Sequence, residues 1–354
     1  MINKYANGLL VAGVIPLLGC WQGQTEVVNQ TGANVQQLSK YDLPGKAFKI
    51  ACSSTGERVA VLVDAVPPIV IIDLKSGKQE SSPAFSTKLG DPIAIEFSSN
   101  GMYFAVGYEH GIELWSVNTK VCLHTLSSAK VCDVKFSPQS DKLYYAVCGS
   151  DAGIWLVDIE SGKPVAVCAE AWEATKRDGH LPEINSIAVD PSGEVVAVNT
   201  TAGTTMLDAR QRVALCDIPN RVDGSLLLKF MSDGSLILAR NTLAFWEPST
   251  CKRRKMLRSP MEVTAIDISA EYNILFACGD GTIGQQGRVD VWDLGKGEVI
   301  GDFSCHADAV VDIEVIPNTC KIITASVDSS IIIWDIAEFT RGRPCGKKNV
   351  PRGE

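Results

Sequence analysis

Beyond residue 18 this chain has no apolar run long enough to cross a bilayer, for which a helix needs about 20 residues. No stretch of twelve or more residues past that point shows helical periodicity either, so a helical architecture is not indicated. Histidine is scarce: the four residues, at 110, 124, 180 and 306, lie far apart without a second ligand at zinc spacing. None of the twelve cysteines forms a CxxC pair, and there is no GxSxG nucleophile elbow. Basic residues are outnumbered, with 33 Lys and Arg against 41 Asp and Glu and a net charge of −8, which argues against a phosphate-backbone binder. The composition therefore gives no metal site, no catalytic motif, no cofactor and no nucleic-acid partner.

What the chain does have is a repeat. IVIIDLKSGK at 69–78 returns as GIELWSVNTK at 111–120, IWLVDIESGK at 154–163 and TTMLDARQR at 204–212. It continues as LAFWEPSTCK at 243–252, VDVWDLGKGE at 289–298 and IIIWDIAEF at 331–339. With Asp73, Ser116, Asp158, Asp208, Glu247, Asp293 and Asp335 as markers, the gaps are 43, 42, 50, 39, 46 and 42 residues. Such periods fit propeller blades of four strands each. Two further β-rich runs split by turn residues precede the copies, as in VCDVKFSPQSDKLYYAVCGSDAG.

On these residues the chain resembles the WD40-repeat β-propeller family over about residues 35–339. The last repeat carries the resemblance best, because His306, Ser326, Asp328 and Trp334 match the family's hydrogen-bonded tetrad. That resemblance implies a structural role, linking strands and loops within one blade. The other repeats lack the matching histidine, and Trp115, Trp246 and Trp292 alone keep the indole at the marker. The expected fold is all-β, a seven-bladed WD40-like propeller. The seventh copy has no clear fourth strand, so VQQLSKYDL at 35–43 is expected to enter the last blade and close the ring.

Closure leaves residues 1–34 outside the propeller. LLGC at 17–20, after a Lys-containing start and an apolar run of signal-peptide length, resembles the lipobox of bacterial lipoproteins. The organisation expected is a signal peptide at 1–19, lipidated Cys20 and a flexible tether at 20–34, the propeller at 35–339 and a basic tail at 340–354. This implies a lipid-anchored protein of the bacterial cell envelope. The eleven other cysteines point the opposite way, to a cytoplasmic scaffold, if residues such as Cys52, Cys132, Cys148 and Cys278 are small buried hydrophobes.

GDGTIG at 279–284 fits GxGxxG literally, but a strand follows where a nucleotide site needs a helix. KRRK at 252–255 with Arg258 falls in the outer strand of the fifth blade, where charge guards an edge against aggregation or meets an anionic surface. Two insertions lengthen loops on the upper face, and Trp172, Arg177, His180, Gln285 and Arg288 are the candidate contacts for a protein partner. Asp133, Asp267 and Asp312 read as equivalent inner-strand acids, either bonded within the ring or charging the channel mouth. The expected function is a non-enzymatic, monomeric interaction scaffold. The contrasting expectation is an enzyme or small-ligand binder that uses the central channel.

Overall fold

The computed structural model describes residues 26–28, 34–80, 85–149, 152–167, 182–219, 227–279, 286–340 and 342. Each marker residue of the repeat builds a turn. The carboxylates of Asp73, Asp158 and Asp208 accept the backbone N–H three residues on, at 2.6, 2.8 and 2.6 Å. One residue further along the chain turns left-handed, with positive φ at Gly77, Gly162 and Gly297 and, against the usual preference, at Lys120, Arg212 and Cys251. The turn reverses the chain between the third and fourth strands of the first six blades; after Asp335 the chain enters a 3-10 turn instead. Hydrogen bonds from the turn backbone hold Asp73 and Asp158 below the ordinary carboxylate range.

Between the turns, runs rich in β-branched and aromatic residues form four-stranded antiparallel sheets, and middle strands such as Arg58–Val63 and Ile274–Gly279 are buried along nearly their whole length. Seven sheets follow one another as blades, with inner strands Ala47–Cys52, Pro92–Phe97, Val131–Phe136, Ile184–Val189, Leu227–Phe230, Val263–Ser269 and Val310–Ile316. The chain is thus an all-β, seven-bladed propeller. Its helical content among the described residues is one 3-10 turn, Ala337–Thr340.

The ring closes through Asn34–Asp42, which pairs antiparallel with Ser330–Asp335 and supplies the missing strand of the seventh blade. Packing fixes that strand from both sides. Val35 is buried with Phe276, Phe303 and Trp334 between blades six and seven, whereas Tyr41 and Leu43 pack with Ile50 and Ile323 between blades seven and one. Glu26–Val28, in the segment read as tether, adds a fifth strand outside Asn34–Asp42. An open edge presents unpaired backbone groups, and a returning segment satisfies them.

Candidate functional site

The seven inner strands surround a channel of about 510 Å³. Strand alternation sets two tiers of side chains into it. Lys49, Asp133 and Asp312 are two residues past the start of pairing in their strands, and Lys135, Asp267 and Glu314 are four past it. Asp267 is therefore not equivalent to Asp133 and Asp312, as the sequence suggested, but sits level with Glu314. The cause is that Val263–Ser269 carries its acid one pleat further along.

These carboxylates staple neighbouring blades. Asp312 accepts the Ile50 N–H at 3.0 Å, Asp133 the Ile187 N–H at 3.0 Å, and Asp267 the Val315 N–H at 2.7 Å. Three lysines complete the network: Lys49 lies 3.7 Å from Asp312, Lys135 2.7 Å from Glu96 and 3.6 Å from Asp133, and Lys229 2.7 Å from Asp267. Bonding within the ring, rather than display at the mouth, is thus what these acids do.

Glu314 staples blades in the same way but in a different protonation state. It accepts the Cys52 N–H across the junction of blades seven and one. Burial, then the nearby charges of Asp267 and Asp312, push its carboxyl up to about 8, so it is mostly protonated at neutral pH. Burial and the Glu314 carboxyl also push the Cys52 thiol well above its usual value. A thiol in that state is a poor nucleophile, because the thiolate is the reactive form. At the opposite end of the same strand Phe48 lines the channel and is 55% exposed.

In the seventh blade the indole N–H of Trp334 donates to Thr324 Oγ1 at 3.0 Å. Thr324 meets His306 Nε2 at 2.8 Å, and His306 Nδ1 meets Asp328 at 3.1 Å. Burial raises the Asp328 carboxyl, but the His306 hydrogen bond and charge and the Ser330 hydroxyl outweigh it and leave the group well below its ordinary range. His306, Asp328 and Trp334 come together as the sequence suggested. The hydroxyl in the chain is Thr324, however, and not Ser326. Two residues further on, Ser326 instead accepts the Asp328 N–H and donates to the Asp308 carbonyl, closing the turn.

The second blade satisfies its indole by a different route that the sequence reading missed. Buried Glu113 accepts from Trp115 Nε1 at 3.1 Å, from the Tyr108 hydroxyl at 2.8 Å and from the Ser86 N–H at 3.3 Å. The signal was present in GIELWS, where an acid two residues before the tryptophan shares its face of the strand.

Among the candidate contacts, Trp172, Arg177, His180 and Gln285 lie outside the described residues, as does Cys20. Arg288 is described, and its guanidinium is engaged by Asp290 at 2.7 Å and Asp302 at 3.6 Å within the sixth blade.

The cysteines depart from expectation. Cys132 and Cys148, read as small buried hydrophobes, form a disulfide across the first hairpin of blade three, with Cα atoms 6.0 Å apart. Cys216 and Cys251 join the rim of blade four to the turn before the outer strand of blade five, at 5.9 Å. Cys320 is disulfide-bonded as well. Cys52, Cys122, Cys278 and Cys305 are free thiols. Partners 16 and 35 residues apart meet only because the sheets bring their strands together, and single-residue spacing hides this.

The chain is a seven-bladed propeller with an indole–hydroxyl–imidazole–carboxylate chain in its last blade. Residues 297–335 match the WD40 family, described as WD domain, G-beta repeat. Over 97 residues the chain is 27% identical to an uncharacterized WD repeat-containing protein of Schizosaccharomyces pombe, a match covering 27% of this chain and 22% of that protein. Over 117 residues it is 22% identical to Protein groucho of Drosophila melanogaster, covering 31% of this chain and 15% of that one. The matched region thus spans under a quarter of either relative's length. Among solved structures it resembles the β-propeller domain of Cps50 (Swd1) from Myceliophteria thermophila. That likeness has a TM-score of 0.67 at 16% identity over 82% of this chain and 96% of that one. A chain of the Mitotic Checkpoint Complex aligns with a TM-score of 0.71 at 14% identity, over 93% and 98%. Residues 297–335 thus match the WD40 repeat, and the chain shares the propeller fold of these structures.

Proposed function

We propose that this chain is an interaction scaffold of a bacterial envelope, tethered to a membrane through lipidated Cys20, which binds protein partners on its upper face. The observation that carries the scaffold reading is Phe48. It is an aromatic side chain left 55% exposed at the upper channel mouth, on a ring whose inner strands are stapled into a rigid platform. Exposed aromatics on rigid supports are the residues that most often anchor interfaces. The Cys132–Cys148 and Cys216–Cys251 disulfides support the envelope over the cytoplasm, since such bonds persist where conditions are oxidising.

The test has two arms. Expression in a bacterial host, fractionation and intact mass should give a membrane-bound species that begins at Cys20 and carries added acyl mass. A soluble chain retaining residues 1–19 would overturn the anchor. Partner capture with Phe48→Ala should lose what the unaltered chain recovers, and undiminished recovery would overturn the upper-face reading.

A second reading makes the channel a small-ligand or catalytic site. Glu314 favours it, because a carboxyl held near pH 8 inside a cavity can donate a proton at neutral pH. Thermal stabilisation by a small ligand, lost in Glu314→Gln, would support that reading.

A further inference from the structure

The rim at the junction of blades four and five combines two features that an edge strand has no reason to combine. The outer strand of blade five, Lys252–Arg258, reads KRRKMLR and pairs on one side with Thr242–Glu247. Its other side carries no strand among the described residues. Lys252, Arg253, Arg254 and Arg258 are exposed. The Arg253 guanidinium lies 6.0 Å from the Trp246 ring centroid, and the Lys255 ammonium 5.9 Å from that of Phe245. Nearby acids offset only part of this charge: Arg254 pairs with Glu247 and lies 3.9 Å from Asp233. Basic groups thus concentrate on one strand of a chain whose net charge is −8.

The second feature is apolar. Beside the basic strand, the outer strand of blade four, Val213–Pro219, leaves Val213 and Leu215 44% and 39% exposed, and Met256 within the basic run is 47% exposed. The Cys216–Cys251 bond fixes the two rims to each other. Lysine and arginine alone would keep an edge from pairing, and exposed aliphatic side chains work against that purpose. Cationic groups interleaved with aliphatic ones on a fixed surface are what an interfacial membrane contact needs. The charges hold anionic headgroups while the aliphatic groups enter the acyl boundary. The exposed aliphatic side chains, rather than the arginines, favour a bilayer over an acidic protein, because arginine also anchors protein interfaces.

We propose that this rim docks on an anionic phospholipid bilayer. In the cell the proposal rests on the reading of Cys20 as a lipid anchor: a tether alone leaves the ring free to turn, and the basic rim decides which side faces the lipid.

The full chain carrying Cys20→Ser, which no acyl group can modify, is mixed with vesicles of phosphatidylcholine alone or with added phosphatidylglycerol, and sedimented. Stronger binding to the anionic vesicles is expected. Reversal of Lys252, Arg253 and Arg258 to Glu should reduce that binding by on the order of a hundredfold, since each basic group near an anionic surface contributes about tenfold or less. Salt near 1 M, where screening acts over roughly 3 Å, should reduce it too. Val213→Ser with Leu215→Ser keeps every charge and should still weaken binding several-fold.

The matched reversal of Lys75, Lys78 and Lys163, exposed on other blades, should leave binding unchanged. Near-ultraviolet circular dichroism shows whether each variant has folded. Equal sedimentation with both vesicle types, or equal loss in the matched variant, overturns the proposal. Capture of an acidic protein without vesicle binding overturns it in favour of a protein partner. Because the test chain lacks Cys20, its result stands apart from whether the anchor exists.

Discussion

The Glu314 carboxyl on the seventh blade accepts the backbone N–H of Cys52 on the first, across the seam where the ring closes. The same seam holds the Asp312 bond to the Ile50 N–H, again 262 residues away in sequence. Two acids of one inner strand therefore tie the last blade to the first, next to the pairing of Asn34–Asp42.

Glu314 gives the seam a pH dependence. Its carboxyl titrates near 4.5 when unfolded and is pushed up to about 8 in the native state, so the folded chain binds more protons between those values. Stability should fall as pH rises from about 5 to about 8 and level off above. Water in the open channel offsets part of the burial, so the change is on the order of a few kcal/mol at most. Denaturant melts of Glu314→Gln should lack that decline, and a parallel decline in the variant would refute the assignment.

Asp312→Ala removes the acceptor for Ile50 and the ionic partner of Lys49 together. A loss of about 2–4 kcal/mol is expected, because a buried N–H and a half-exposed ammonium are left without their carboxylate. Hydrogen exchange should quicken first in blades one and seven. Uniform exchange around the ring would count against a seam role.

Thr324→Val should cost more than Ser326→Ala. Thr324 stands between two buried groups, Trp334 Nε1 and His306 Nε2, and a methyl in its place leaves both unsatisfied at about 1–3 kcal/mol each. Ser326 mainly closes a turn, with an expected loss nearer 1 kcal/mol. Thermal melts of the two variants decide the order.

Peptide mapping after alkylation without reductant should recover Cys132 linked to Cys148 and Cys216 linked to Cys251. Cys216→Ser should lower stability by about 3–4 kcal/mol on loop-closure entropy for its 35-residue separation. If all four cysteines alkylate freely in protein isolated from its host, the bonds do not form there and the support they give to an envelope location falls away.

Much of this arrangement was legible beforehand because its causes are local. The marker acid, the left-handed residue four positions later and the short β-rich run are set by neighbours in the chain, so blade number, blade order and the strand at 252–258 could be read directly. The absent fourth strand of the last blade and the spare strand before the first repeat also implied the closure. Thr324 was not legible. IITAS offers hydroxyls at 324 and 326, on the same face of the strand, and only the depth of Trp334 in the blade selects the first. The one-pleat offset of Asp267 escaped notice because a strand's register against its partner is not written in the strand.

The sequence by itself determined a seven-bladed ring, since turn chemistry and short β-branched and aromatic runs act over a few residues and repeat along the chain. The tertiary structure alone decided which acid meets which backbone N–H, which cysteines pair and which outer strands are bonded to a neighbouring blade. Those contacts join residues 16 to 262 positions apart, and their geometry exists only once the blades have packed and the ring has closed.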